Sequence, residues 1–262
     1  MVIAVNKLER NVMKKLAAII IEDRYFEDTV SICQQHLDKL PDNTDLILYS
    51  IEENIEKYKQ DAIKQGVKIT FKQYDQNVKI PIEINYIGGM EAVLKDQRMR
   101  ALFNYCLFVT RPEFWMELFD YDRTLTFQRD TKLLKKGIEE FLEYDYVGAP
   151  CYNFVKDQTV QNGGLSLRNP KVMEYISRVY GWKRDIQDMM VVGQYSSAWF
   201  FAEDIFYCTR MIKYGIGNYA PLEAAKRFSC EMRFELGTLG YHAIERYMTE
   251  DQIKQINEQY NY

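Results

Sequence analysis

The stretch LAAIIIEDRYFEDTVSICQQHLDKLPDNTDLILYS, residues 16–50, holds a strand–helix–strand unit that decides the fold. Leu16 to Ile21 is an uninterrupted apolar run closed by Glu22-Asp23-Arg24, the pattern of a strand covered on both faces. Phe26, Val30, Cys33 and Leu37 then recur at helical spacing, Pro41-Asp42-Asn43 makes a turn, and Asp45 to Ser50 is a second covered strand. Two such strands joined by a helix predict a parallel sheet with a right-handed crossover. Glu52 to Gln65 reads as a polar helix ended by Gly66, and Val67 to Phe71 as a third strand.

Outward from that unit, residues 1–15 read as a polar leader. Residues 91–119 hold apolar positions at helical spacing, broken at Pro112, with Trp115 and Phe119 as i, i+4 neighbours expected in the core. RTLTFQRD (123–130) reads as a strand ending at Asp130, Lys132 to Tyr144 as a helix, DYVGAP (145–150) as a short strand and residues 151–160 as a polar loop. Pro170 suits the first turn of a helix reaching Tyr180. Residues 181–199 are irregular, Glu203 to Gly215 fits a helix, and a polar C-terminal helix occupies 249–262. No repeat, low-complexity tract or interdomain linker interrupts the pattern, so residues 1–262 are expected to form a single α/β domain. Ligands of such sheets gather at the carboxyl ends of the strands, where Glu22-Asp23-Arg24, Ser50, Gln128 to Asp130 and Asp145 fall.

Bulk properties narrow the function. The 262 residues are 47% hydrophobic, enough for a large core. The net charge of -4, without a long basic run, argues against a nucleic-acid partner. The apolar run Leu16 to Ile21 is too short to span a bilayer, so no transmembrane segment is expected. Five cysteines (Cys33, Cys106, Cys151, Cys208, Cys230) are scattered and never spaced C-x-x-C, which suggests reduced thiols in a cytosol-like compartment and speaks against a zinc ribbon.

One segment departs from ordinary strand chemistry. In VQNGGLSLRNP (160–170), Gly163 and Gly164 open a stretch where Leu165 and Leu167 alternate with Ser166 and Arg168. Glycine inside a strand costs stability unless another backbone or a ligand must come close, or the strand bulges there.

FQRD, DYVGAP, NGGLSLRN, AEDIFYC and LGYHA, in that order between about Leu16 and His242, resemble the nucleotide-sugar glycosyltransferases of the GT-A type. The nearest likeness is to a group of viral and microbial glycosyltransferase-like domains described as of unknown function. The resemblance implies a Rossmann-like GT-A α/β/α sandwich with a mostly parallel central sheet. It also implies a nucleoside-diphosphate sugar donor, a glycan or other hydroxyl acceptor, and Mn²⁺ or Mg²⁺ held at the end of a strand. Here the usual acidic motif reads Gln128-Arg129-Asp130, which leaves Asp130 as its carboxylate ligand, with Arg129 or a lysine in part replacing the ion. His242 is implied as a second metal or diphosphate ligand, Asp204 as catalytic base, and Glu203 as a residue orienting the acceptor or supporting the site from behind. Gln128, Asn162, Gly163, Gly164, Ser166 and Arg168 are implied around the donor sugar, whose ring would lie against the glycines, with Arg168 reaching phosphate or closing a salt bridge under the site. Arg24 and Ser50 are candidate nucleotide contacts, and Trp182 and Trp199 a candidate stacking platform.

Each position also has a plainer reading: Asp130 as a helix cap, His242 as a packing residue, Glu203 and Asp204 as acids at a helix N-terminus. His36, on an amphipathic helix, is given no role. The leading expectation is an inverting, metal-assisted glycosyltransferase in the cytoplasm (host cytoplasm for a viral member), with the oligomeric state open. The alternatives are a non-catalytic GT-A-like nucleotide-sugar or glycan-binding protein and a sugar-nucleotidyltransferase. The last would want a glycine-rich basic loop after the first strand, and IEDRYFED has none.

Overall fold

The computed structural model describes residues 15–75, 95, 97–155, 158–181 and 202–259. Strand β1 (Leu16–Ile21) lies parallel between β2 (Asp45–Ser50), with Ile19 opposite Ile47, and β4 (Arg123–Phe127), with Ala17 opposite Thr124. β3 (Thr70–Gln73) adds in parallel to β2. β7 (Gln158–Arg168) runs antiparallel beside β4, and β6 (Tyr146–Val155) antiparallel beside β7. The order β3-β2-β1-β4-β7-β6 thus makes a mostly parallel central sheet in a mixed α/β fold, as expected from residues 16–50.

Alternation along the strands builds the two layers. Ala18, Ile20, Leu46, Leu48, Leu125, Phe127 and Leu167 pack with α1 (Thr29–Leu37), α2 (Glu52–Gln65) and α7 (Leu222–Phe228). Ala17, Ile19, Ile47 and Tyr49 face α3 (Gln97–Val109), α4 (Pro112–Met116), α5 (Pro170–Tyr180) and α6 (Glu203–Tyr214) on the other side. Burying one such aliphatic side chain is worth roughly 1.5–3 kcal/mol, so strands this apolar are stable only when sandwiched. Local signals set several ends. The Asn169 side chain caps α5 by accepting from the Lys171 N–H at 3.0 Å, and Gly66 and Gly215 close α2 and α6 with φ of 68° and 66°.

Four expectations are corrected. The third strand begins at Thr70, because Val67 closes α2 by donating its N–H to the Ala62 carbonyl. The helix expected over Lys132 to Tyr144 is instead β5 (Thr131–Leu133), a break at Gly137 with φ 125°, and a single 3₁₀ turn, Ile138–Phe141. β5 exists because it pairs with β9 (Gly240–His242), which also lies parallel to β8 (Ser229–Cys230) in a second, three-stranded sheet. Of the polar loop expected at 151–160, residues 151–155 are strand in β6 and 158–160 strand in β7. Finally, Trp115 is wholly buried, bonding the Val109 carbonyl and the Tyr207 hydroxyl at 2.7 Å each, but Phe119 is 38% exposed. α4 ends at Met116, so the helical i, i+4 relation does not reach Phe119.

The polar leader up to residue 14, the irregular segment from 182 onward, and Trp182 and Trp199 lie outside the described residues. The C-terminal helix is α8 (Glu250–Gln259). All five cysteines are buried free thiols. Among the described residues no helix is long and apolar enough to cross a membrane.

Candidate active site

The carboxyl ends of β1 and β2 are tied together by Ser50, which is buried and donates its hydroxyl to the Glu22 carbonyl at 2.6 Å. That bond ties the two strand ends together. Arg24 is different: its Nε lies 3.3 Å from a Glu22 carboxylate oxygen, yet the side chain is 72% exposed.

After β4 the chain turns through Gln128, Arg129 and Asp130 and enters β5, where Thr131 stands opposite His242. No helix begins here, so the capping role for Asp130 falls away. The pairing carries His242 to the end of β4: its Nε2 lies 3.1 Å from Gln128 Oε1, across 114 residues of sequence, and 3.3 Å from Asp130 Oδ1. Its Nδ1 lies 3.3 Å from Glu231 Oε1. The Arg246 guanidinium reaches Asp130 Oδ2 at 2.6 Å. Arg129 turns away to Asp28, at 2.6 Å, with its guanidinium 3.5 Å over the Phe26 ring, so the cation at Asp130 is Arg246 and not Arg129. His36 also has a place. Its ring stacks on Phe127 at 4.2 Å and its Nε2 lies 3.0 Å from Thr131 Oγ1, whose hydroxyl is 2.6 Å from the Gln128 carbonyl. It braces the turn from below.

Electrostatics follow the geometry. Burial works to discharge His242, but hydrogen bonds and charge from Asp130 and Glu231 prevail and push it up to about 9. Burial likewise acts to raise the Asp130 carboxyl, yet His242 and Arg246 hold it below its ordinary value. The histidine therefore contributes stability that is fully present below its unfolded value of about 6.5 and is lost as pH climbs through 9. The melting-temperature gap between wild type and His242→Gln is expected to be widest near pH 6 and to close by pH 9.5. A gap constant over that range would rule out an imidazolium here.

The glycine pair lies beyond the end of β4. Between Gly148↔Ser166 and Pro150↔Gln161 the β6–β7 register shifts, so β7 bulges around the two glycines. A Cβ on Gly163 would sit 2.1 Å from Glu203 Oε1 and 2.5 Å from Arg168 Nη2, and one on Gly164 would sit 2.3 Å from the His242 ring. The close approach is therefore by the chain's own side chains. Bulge and crowding act together.

Around the bulge the polar groups bond largely to one another. Asn162 Oδ1 accepts from the Gly164 N–H at 2.6 Å, and Ser166 donates to the Gly163 carbonyl at 2.9 Å. Ser166 and Arg168 are wholly buried. Arg168 closes a salt bridge with the buried Glu203 at 2.8 Å, the second of the two roles considered for it. Asp204, half-buried at the start of α6, accepts from its neighbour Ile205 N–H at 2.6 Å and, more loosely, from Gly163 N–H at 3.3 Å. Burial first, then the Glu203 charge, pushes the Asp204 carboxyl up to about 7.

Asp204 and the Asp130–His242 pair thus meet the chain at consecutive residues, Gly163 and Gly164. Glu231 and Arg246 belong to this cluster and were not legible in the sequence. Glu231 follows β8, whose Cys230 stands opposite Tyr241, so pairing alone puts it beside His242. The one local signal nearby emerges only on folding: Ala243 is the sole non-glycine residue with positive φ (48°) among the described residues, and its N–H bonds the Asp130 carbonyl at 2.8 Å. As a donor set, the Asp130 carboxylate and the His242 imidazole, once it has given up its proton, suit Mn²⁺, with Glu231 Oε2 buried and without a hydrogen bond beside them. Among the described residues no three such side chains are arranged about one point.

Solved structures with a similar fold are glycosyltransferases. Mouse xyloside xylosyltransferase 1 in its apo form is 12% identical over 90% of this chain and 99% of that one, with a TM-score of 0.54. Core-mannan synthase A from Aspergillus fumigatus, in a Mn/GDP form, is 10% identical over 74% of this chain and 70% of that one, TM-score 0.48. The apo-form glycosyltransferase GlyE of Streptococcus pneumoniae TIGR4 is 12% identical over 91% and 55%, TM-score 0.46. At such identity the likeness is one of fold, the GT-A-like Rossmann arrangement. Among curated proteins none matches the sequence. Residues 91–242, more than half of the chain and including the β4 turn, the glycine pair, Asp204 and His242, match the family described as protein of unknown function (DUF5672), and the chain belongs to that family.

Proposed function

We propose that this chain transfers a glycosyl group from a nucleoside-diphosphate sugar to an acceptor hydroxyl, with inversion. The observation that carries the reading is the convergence at Gly163 and Gly164, at the carboxyl end of the parallel strands, of one carboxylate with a raised proton affinity and a separate cluster of mixed charge. In the transfer, Asp204 takes the acceptor O–H proton while that oxygen bonds the anomeric carbon; the bond from that carbon to the diphosphate breaks and the leaving group keeps the electron pair. A carboxyl near 7 is matched to a base working at neutral pH.

Asp130 and His242 would hold Mn²⁺, which supplies positive charge to the departing diphosphate when bound. Arg246, 65% exposed at its side chain, stands at the mouth of the same cluster and can bond phosphate oxygens, while the exposed Arg24 borders the nucleotide end. Gln128, Asn162 and the glycine backbone border the donor sugar, with Gln128 and Asn162 also fixing His242 and Gly164.

Both Asp130 oxygens are already engaged, by His242 and Arg246, and this favours a second reading as a binding protein without turnover. A panel of nucleotide sugars, incubated with and without Mn²⁺ and several hydroxyl acceptors, separates the two. Release of nucleoside diphosphate is expected. Saturable donor binding with no release under any combination would leave only the binding protein standing.

A further inference from the structure

Arg168 is wholly buried, with its guanidinium 5.9 Å from the Trp115 ring centre, 5.3 Å from that of Tyr146 and 5.9 Å from that of Tyr207. It donates to Ser166 Oγ at 2.8 Å, to the Gly163 carbonyl at 3.2 Å and to Glu203 Oε1 at 2.8 Å. The other Glu203 oxygen accepts from the Cys106 thiol at 3.8 Å. An apolar pair of similar volume often packs as stably as a buried ion pair, so stability alone does not account for this one. Its position does. Gly163 turns its carbonyl to Arg168 and its N–H to Asp204, so one residue links the ion pair to the carboxylate, and Glu203 is also the chain neighbour of Asp204.

We infer that the Arg168–Glu203 pair is a positioning device for Asp204: Arg168 pins the Gly163 peptide on which the carboxylate rests, and Glu203 keeps a fixed negative charge beside it. This rests on the reading of Asp204 as base. Among the described residues, the groups that act on Asp204 are Glu203 from α6, Arg168 from β7 and Glu231 from the end of β8; Cys106 on α3, Tyr146 and Cys151 on β6, and Cys208 on α6 lie around it, and burial pushes each of these thiols and the phenol upward, so they stay neutral. After burial itself, the Glu203 charge is the largest influence raising Asp204, and Arg168 acts in the opposite direction. Removing the Glu203 charge withdraws the first and leaves the second uncompensated. Both changes move Asp204 the same way, downward.

Two variants test the two halves. In Glu203→Gln, the Asp204 carboxyl is followed directly by ¹³C NMR titration, and donor turnover by its pH–rate profile. The Asp204 midpoint and the acidic limb of turnover are expected to fall together by about one unit or more, with the donor KM within twofold of wild type. A purely structural pair would lower the folded fraction and leave both midpoints in place, and that result overturns the inference. If the NMR midpoint falls and the turnover limb does not follow, the charge coupling stands and Asp204 is not the base.

Arg168→Lys keeps the charge but replaces a three-way fork with a single ammonium. Its Asp204 midpoint is expected to stay within half a unit while kcat drops tenfold or more at unchanged KM. Wild-type kcat in this variant refutes the pinning role, and the variant carries the test alone should Glu203→Gln fail to fold.

Discussion

Asp204→Asn is expected to lower turnover by ~10²- to 10⁴-fold, the usual contribution of a positioned general base, with donor affinity unchanged. The Gly163 and Ile205 N–H groups bond different carboxylate oxygens, so the amide oxygen keeps the shorter bond to Ile205 and gives up the 3.3 Å one to Gly163; for turnover the larger loss is the capacity to take a proton. The same substitution is expected to stabilise the fold. Asp204 is held near 7 in the folded chain, above its ordinary value of 3.8, so ionising it costs folding free energy that grows as pH rises from about 4 through 7. The neutral amide escapes that cost, for a gain of at most about 4 kcal/mol at pH 7.5, lessened by the solvent that reaches the half-buried group and by the lost Gly163 bond, and vanishing near pH 4. Denaturant unfolding at the two pH values, beside a turnover assay, checks both halves. A variant with wild-type rate would remove Asp204 from the chemistry, and one with no pH-dependent gain would mean its carboxyl is not raised.

Gly163→Ala is expected to damage both the fold and the site. The added carbon would lie 2.1 Å from Glu203 Oε1 and 2.5 Å from Arg168 Nη2, both in buried side chains. Relief by small shifts costs about 1–3 kcal/mol, and splitting the buried pair costs roughly 3–5 kcal/mol. Turnover should fall with stability, since Gly163 also donates to Asp204. Gly66→Ala is the control: its φ is 68° but nothing lies within 4 Å of the new methyl, so only the left-handed backbone is penalised, at about 1–2 kcal/mol. If Gly163→Ala is no worse than that control in urea unfolding, crowding is not why glycine occupies position 163.

The site residues divide by how far they act along the chain. Asp204 opens α6 behind an apolar segment, and Asn169-Pro170 starts α5, so their neighbourhoods are written within a few residues. The glycine pair is visible as an anomaly in the sequence, yet its cause lies in side chains from α6 and β9 that no local pattern announces. The misread helix at 132–144 is the same lesson in reverse. Its composition suits a helix, and a partner strand more than a hundred residues away makes Thr131–Leu133 extended instead. With 132–144 read as a helix, a cap stays open as the plainer role of Asp130, and Glu231 and Arg246 have no place beside it.

Periodicity and end signals, each spanning a single turn or strand, were sufficient for the parallel β1–α1–β2 unit and for the starts of α5 and α6. Folding alone joined His242 and Glu231 to Asp130, and buried Arg168 against Glu203, because those meetings depend on strand pairing across long loops. Such pairing is driven by how much apolar surface the assembled layers cover together, a quantity that no short window of residues contains.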